Sequence, residues 1–518
     1  MTMTARHLSK PLCLNLLLVG MLLLGGSKIA MAAGNCLVTI PGPSGNTNAY
    51  TPIGGETIVC SGGVITTGVN SQYQGTFPSG ETASTLGNNV TITVDPNTTI
   101  SSSLATIGLG NRLTATNNGT MFTSGGTYAY GISAGINGRN QNGGNTITNN
   151  GLINTLGPGS SAIIVSASNA GSLGNSIINA GSINTSGGPV SANGSNGIYL
   201  SSGATGAAVN NSVVNSGSIA TNGVLGVGIR FEVAGGIASI TNSGSITTDG
   251  LNANGIQIVN TANTVSVNNS GTIATKGASN GIRITGSANI TNSGTICPSG
   301  ISGGNCVAGT TSSGNGIQVD NNTNPNRTVI TNSASGLIGA PTSANYAIYS
   351  AQQPGVDINN YGKIIAASTN ATAINFVGST TGGSNNTVTL YGGSTLVGGI
   401  NFNKGSTQET LNFNGLTNSG FNNAITGLNI INATNGSNVV MNNSSGYELV
   451  SGKVLVDGTS SLAISGVIQD QTGPAAAASS IQKIGAGTLV LSAANTYTGG
   501  TTLNEGTIAV GNNAALGT

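Results

Sequence analysis

Apolar and polar residues alternate with a period of two in short runs along most of this chain, and each run stops at Gly, Asn or Asp. Gly255-Ile-Gln-Ile258 alternates, Thr264-Val-Ser-Val-Asn268 alternates, and Thr272-Ile-Ala274 follows after a turn. Period two is the mark of a strand that buries one face. Three short strands with a turn after each predict one rung of a right-handed parallel β-helix, an all-β solenoid. The third strand belongs to a phrase, Ile240-Thr-Asn-Ser-Gly-Ser-Ile-Thr-Thr-Asp-Gly250, that recurs with small edits from about residue 115 to about residue 370. Its core glycines fall at Gly151, Gly181, Gly217, Gly244, Gly271 and Gly294, a period of roughly 23 to 36 residues, which is the range of solenoid repeats.

The phrase keeps one spacing constant. Gly181/Gly187, Gly217/Gly223, Gly244/Gly250, Gly271/Gly277 and Gly294/Gly300 are all six apart, so variation in rung length falls in the other turns. Glycine is expected at these corners because it accepts positive φ, and asparagine is expected to stack into side-chain ladders. Five inward aliphatics in one rung (Ile256, Ile258, Val265, Val267 and Ile273) contribute roughly 8–15 kcal/mol. Ordering each residue of that rung costs about 1–2 kcal/mol, so the total exceeds the gain. A rung cannot fold alone; its neighbours must share the core.

Composition sharpens this picture. Charged residues are 5% of the 518, aromatics 3%, and glycine supplies 84. Disorder needs low hydrophobicity with high net charge, and neither holds. The formal net charge is +1, with Arg6, Lys10 and Lys28 in the first few dozen residues and the other cations scattered. Nucleic-acid binding requires clustered cations, so no nucleic-acid partner is expected.

The N-terminus reads as a secretory leader over residues 1–32. Arg6, His7 and Lys10 precede the aliphatic run Leu12 to Leu24, and Ala30-Met31-Ala32 offers a small-x-small cleavage site. Export suits disulfides, and the cysteines beyond the leader form two local pairs, Cys36 with Cys60 and Cys297 with Cys306. Residues 33–110 are irregular and proline-bearing, and are expected to cap the open end of the stack. Residues 111–380 form the repeat array. Residues 381–518 continue it less regularly, ending in a distinct repeat at 481–513.

That last repeat carries a resemblance. Lys483-Ile-Gly-Ala-Gly-Thr-Leu-Val-Leu-Ser492 is followed by Asn495-Thr-Tyr-Thr-Gly-Gly-Thr-Thr-Leu-Asn-Glu-Gly-Thr-Ile508. The stretch resembles the passenger-associated repeat of bacterial autotransporters, with Gly485, Gly487, Leu489, Leu491, Asn495, Tyr497, Gly499, Thr501, Gly506 and Ile508 filling the motif. The resemblance implies a β-helical passenger displayed at the cell surface or secreted, moved across the outer membrane by a C-terminal translocator β-barrel. This chain contains no such barrel, and it is therefore expected to be a fragment or an incomplete gene product.

Catalytic chemistry finds little footing. The single histidine is His7, in the leader, which removes Ser-His-Asp and Cys-His arrangements and His-ligated metals from the rest of the chain. No phosphate-loop or calcium-repeat motif occurs, and no cofactor is expected. A polysaccharide-degrading β-helix would need paired carboxylates. Aligning Ile229, Ile256, Ile282 and Ile317 puts Glu232 and Asp320 in one column, three rungs and so about 14 Å apart. A glycosidase pair needs about 5–9.5 Å. Asp249 shares a turn slot with Asn222, Lys276 and Ser299, which reads as a tolerant corner.

A binding face is the better prospect. The outward position of the first strand reads Tyr199, Arg230, Gln257, Arg283, Gln318, Tyr349 and Asn375 in successive repeats, which period two and stacking place in one column. Its partners would be host or bacterial surface glycans or proteins, or a second copy of the chain. The reading is a non-enzymatic surface rod, ten to fifteen rungs and roughly 50–70 Å long, acting in adhesion, autoaggregation or biofilm contact. The alternatives are a polysaccharide-degrading enzyme and a purely structural stalk.

Overall fold

The computed structural model describes residues 89–518 with interruptions at 104–105, 111, 136–142, 168–172, 191–193, 204–208, 299, 303–304, 307–313, 321–323, 341, 343, 352–354, 378–384, 403, 407 and 473–475, and before residue 89 it describes 29–31, 36–39, 55, 57–61, 63–65 and 69–70. The described residues form strands and turns, with no helix among them. The expected leader lies outside them except for the strand Ile29–Met31, which pairs antiparallel with Cys36–Thr39.

Alternating residues build three faces that repeat rung after rung. The first face is made by strands such as Ile198–Ser202, Ile229–Val233 and Ile317–Asp320. The second is made by strands such as Asn210–Asn215 and Ile237–Asn242, and the third by Ser218–Thr221 and Ser245–Thr248. Pairing between successive rungs is parallel and in register: Ile229 lies on Ile256, Ile240 on Val267 and Ile246 on Ile273. This is a parallel β-helix. Ile256, Ile258, Val265, Val267 and Ile273 are all fully buried in one continuous core.

Two polar devices close the corners. Between the second and third faces, an asparagine ladder runs Asn117, Asn149, Asn179, Asn215, Asn242, Asn269, Asn292, Asn332, Asn360. Each Nδ2 donates to the Oδ1 one rung on, at 2.7–2.9 Å. These amides are buried, and the ladder satisfies groups that would otherwise be costly to take from water. After the third face, Thr155, Thr185 and Thr275 donate from Oγ1 across the turn to the carbonyls of Ser160, Ser195 and Ser279 at 2.7–2.8 Å. Pro298 takes the next place in that column, and there the chain carries a Cys297–Cys306 disulfide, with Ile301–Ser302 antiparallel to Asn305–Cys306 beyond it. At this rung a covalent bond stands where the threonine hydrogen bond would be.

The glycines of the phrase serve a different purpose from the one expected. None of Gly181, Gly217, Gly244, Gly271 and Gly294 has positive φ. A Cβ at Gly244 would lie 2.0 Å from the carbonyl oxygen of Gly217, and the same collision recurs up the column. The rungs come too close at this corner for any side chain. Positive φ matters at Gly277 (69°) and Gly300 (95°) in the turn that follows.

The third face is interrupted once among the described residues. A 12-stranded sheet runs from Gly63–Ile65 to Thr395–Val397, and a five-stranded sheet resumes at Thr417–Phe421. Leu390, Leu396, Leu416, Phe421, Ser394, Thr395 and Asn418 line a cavity of about 150 Å³ at the break. On the other two faces the stack continues across it.

Candidate functional site

The seven outward residues of the first face form one stacked line. The register pairs Tyr199 with Arg230, Arg230 with Gln257, Gln257 with Arg283, Arg283 with Gln318, Gln318 with Tyr349 and Tyr349 with Asn375. Two residues further along the strands, a second line reads Ser201, Glu232, Val259, Thr285 and Asp320. All strands run the same way, so side chains two apart on neighbouring rungs lie within mutual reach.

They meet in two clusters. In the first, Arg230 binds Glu232 in a forked contact, Nε to Oε1 at 2.7 Å and Nη2 to Oε1 at 2.6 Å. Its guanidinium lies 5.0 Å from the centre of the Tyr199 ring, and the Tyr199 hydroxyl donates to Glu232 Oε2 at 2.8 Å. Burial, then the adjacent Glu232 charge, pushes the Tyr199 phenol up to about 12, so it stays a donor at neutral pH. In the second, Asp320 accepts from Arg283 Nε at 2.8 Å, Thr285 Oγ1 at 3.0 Å and Gln318 Nε2 at 2.7 Å. Tyr349 stacks on Tyr346 with ring centres 5.8 Å apart, and its phenol is raised by burial and by Asp320. Gln257 and Val259 lie between the clusters, half-buried. Asn375 is buried and accepts from Asn401 Nδ2 at 2.6 Å.

Glu232 and Asp320 are thus the partners of the two arginines. This pairing was missed in the sequence, where they were weighed only as acids; the signal was the Arg-x-Glu of Arg230–Glu232 and its echo one rung apart in Arg283 and Asp320. The two carboxylates keep the three-rung separation through Val259 and Thr285, about 14 Å. Asp249 and Lys276 meet as an exposed ion pair at 3.1 Å in the turn slot; Ser299 lies outside the described residues. Cys60 is disulfide-bonded and sits in register opposite Cys36. Among the described residues no three of His, Cys, Asp and Glu gather to hold a metal ion.

A further exposed feature escaped the sequence reading. Tyr361 and Tyr391 stack on successive rungs with centres 3.8 Å apart and planes 13° off parallel. They occupy the outward corner position that Ser243, Ser270 and Ser333 hold elsewhere, so Tyr-Gly at 361–362 and 391–392 in place of the Ser-Gly of 243–244 and 270–271 was the readable sign.

The segment beginning at Ile481 is built inward. Leu489 and Leu491 are fully buried, and Gly487 packs so that a Cβ would lie 2.0 Å from the Asp457 carbonyl oxygen. Asn495 accepts from Ile468 N at 2.8 Å and donates to Ala515 O at 2.6 Å. Tyr497 is buried with its hydroxyl against Thr501. Lys483 is buried too, its Nζ donating to the carbonyls of Ile484 (2.8 Å), Gly485 (2.5 Å) and Glu505 (3.2 Å). These residues turn corners and fill the core, so the segment is architecture and the outward chemistry lies elsewhere.

The family model of the passenger-associated-transport-repeat matches residues 481–510. No curated protein and no solved structure matches the chain. The repeat at 481–510 and the parallel β-helix that leads into it support reading the chain as an autotransporter passenger.

Proposed function

We propose that this passenger is a non-enzymatic rod, displayed at the cell surface or secreted, that makes adhesive contacts through its first face. The contacts would be with host or bacterial surface glycans or proteins, or with a second copy of the chain. The observation that carries the reading is the concentration of outward chemistry there. Tyr199, Arg230, Glu232, Arg283, Gln318 and Asp320 share one face of a rigid scaffold, whereas the corners, apart from the Tyr361–Tyr391 stack and the Asp249–Lys276 pair, are lined mainly by asparagine, serine and threonine committed to ladders and turns. Contact surfaces favour tyrosine and arginine held in fixed positions.

Hydrolysis of a polysaccharide is the weaker reading. Glu232 and Asp320 are each bound to an arginine and stand about 14 Å apart, beyond the span of a glycosidase pair. The test is adhesion of the purified protein to bacterial and host cells. Replacing Tyr199, Arg230 and Arg283 together with Ala should reduce adhesion at least about tenfold, as loss of anchoring contacts does. Unchanged adhesion by a folded triple variant would move the function off this face and favour a structural stalk.

A further inference from the structure

The spacing and charge of the two clusters bear on what the first face holds. Successive rungs stand about 4.8 Å apart, close to the rise of one sugar in an extended β-linked glycan. A glycan laid along the axis therefore keeps one sugar to each rung over several rungs. An extended polypeptide laid the same way advances about 3.4 Å per residue and falls out of step within two rungs.

Charge narrows the class. Each guanidinium is already bound to a carboxylate, Arg230 to Glu232 at 2.6 Å and Arg283 to Asp320 at 2.8 Å. An anionic ligand on the remaining guanidinium N–H groups would lie beside Glu232 or Asp320, and their like charge opposes it. A sugar hydroxyl donates and accepts at once, so it can bond to a carboxylate oxygen and a guanidinium N–H without disturbing the pair. The clusters are also held in place before any ligand arrives, by the ring of Tyr199 in one and by Thr285 and Gln318 in the other, which limits the entropy lost on binding. Between them Val259 offers a small apolar surface to the C–H face of a sugar ring.

We propose that the first face binds a linear, neutral, β-linked glycan along the solenoid axis, one sugar per rung, anchored by the Arg230–Glu232 and Arg283–Asp320 pairs. This rests on reading the first face as the contact surface. Glu232 and Asp320 are three rungs apart, so four sugars is the shortest ligand that reaches both.

Calorimetric titration of this chain with cello- and chito-oligosaccharides of two, four and six units tests it. The tetramers of at least one series should bind about tenfold or more tighter than the dimer, which is the gain of one added anchor. Glu232→Gln and Asp320→Asn should each bring tetramer affinity down to that of the dimer, while circular dichroism and melting confirm the fold. Salt up to 0.5 M should leave the affinity unchanged, because no net charge is neutralised. Equal affinity at all lengths would overturn the axial placement. Tighter, salt-sensitive binding of oligogalacturonate would overturn the neutral assignment. If neither neutral series binds while adhesion to cells still depends on Tyr199, Arg230 and Arg283, the glycan assignment fails and the contact face stands. If adhesion ignores those residues, the contact face itself fails.

Discussion

The stack on either side of residue 390 solves the same corner by two different means. From Asn117 to Asn360 the corner between the second and third faces is a buried amide ladder. At the next rung Leu390 takes the place of Asn360, followed in register by Phe413, Ala433 and Val456, all buried. The polar column becomes an apolar one, with Phe413 packed edge-on against Phe421 at 5.3 Å. The third face breaks at the same place. An amide ladder demands an identical side chain on every rung, because each member needs the next to satisfy it. An apolar column demands only volume, so Leu, Phe, Ala and Val follow one another and the repeat fades from view.

This contrast can be broken at several points. The largest effect is expected at Gly244. Ala there places Cβ 2.0 Å from the Gly217 carbonyl, against backbone that cannot move without unstacking the rung. A loss of about 4 kcal/mol or more in urea unfolding is expected. Gly420→Ala, on the other side, meets nothing within 4 Å and should change stability by less than about 0.5 kcal/mol.

Next is a pH effect confined to the less regular side. At the corner before the second face, Asn145, Asn175 and Asn211 form a second ladder. In the later rungs that corner reads Asn386, Glu409, Asn429, with Asn386 N donating to Glu409 Oε2 at 3.1 Å and Glu409 N to Asn429 Oδ1 at 3.0 Å. Glu409 is fully buried, and that burial pushes its carboxyl from 4.5 up to about 8, against the hydrogen bonds from Asn386 and the pull of Arg327. Between those values the unfolded chain has lost the proton and the folded chain keeps it. The contribution of Glu409 to stability is therefore fully present below pH 4.5 and is lost as pH rises towards 8, by about 1.4 kcal/mol per unit at most. Denaturant midpoints at pH 5 and pH 8 should show the fall, and Glu409→Gln should abolish the slope whatever uniform offset it introduces.

A mid-sized effect is expected for Asn242→Ala. It removes the donor to Asn269 Oδ1 and leaves Asn215 Nδ2 only its longer bonds to the Gly217 and Ser245 carbonyls, both ladder contacts being 2.7 Å in the intact protein. A cost of about 2–3 kcal/mol should appear as faster amide exchange in the flanking rungs. Ala433→Val in the apolar column leaves no polar group without a partner, so any loss there must come from volume alone. Smallest is Tyr361→Ser, which restores the phrase and removes one ring of the stack with Tyr391; about 1 kcal/mol or less should be lost in thermal unfolding.

Much of this was readable from the chain alone. Alternation marked Ile256, Ile258, Val265, Val267 and Ile273 as inward, and matching the recurring strand starts Ile229, Ile256, Ile282 and Ile317 lined up the first-face column, because strand geometry is local and parallel stacking keeps these strands in register. The passenger repeat was equally plain, since its glycines and apolar residues answer to local corner and core demands. Other features were decided only when rungs met. The Gly244 requirement comes from a carbonyl 27 positions earlier, and the φ-based expectation for it was wrong because nothing within the phrase reports that approach. The marriage of Arg283 to Asp320, 37 positions away, likewise depends on turn lengths that alternation does not encode. The sequence by itself determined which residues face in and which face out. The tertiary structure decided which outward residues touch, because contact between rungs is set by stacking distance and turn length together.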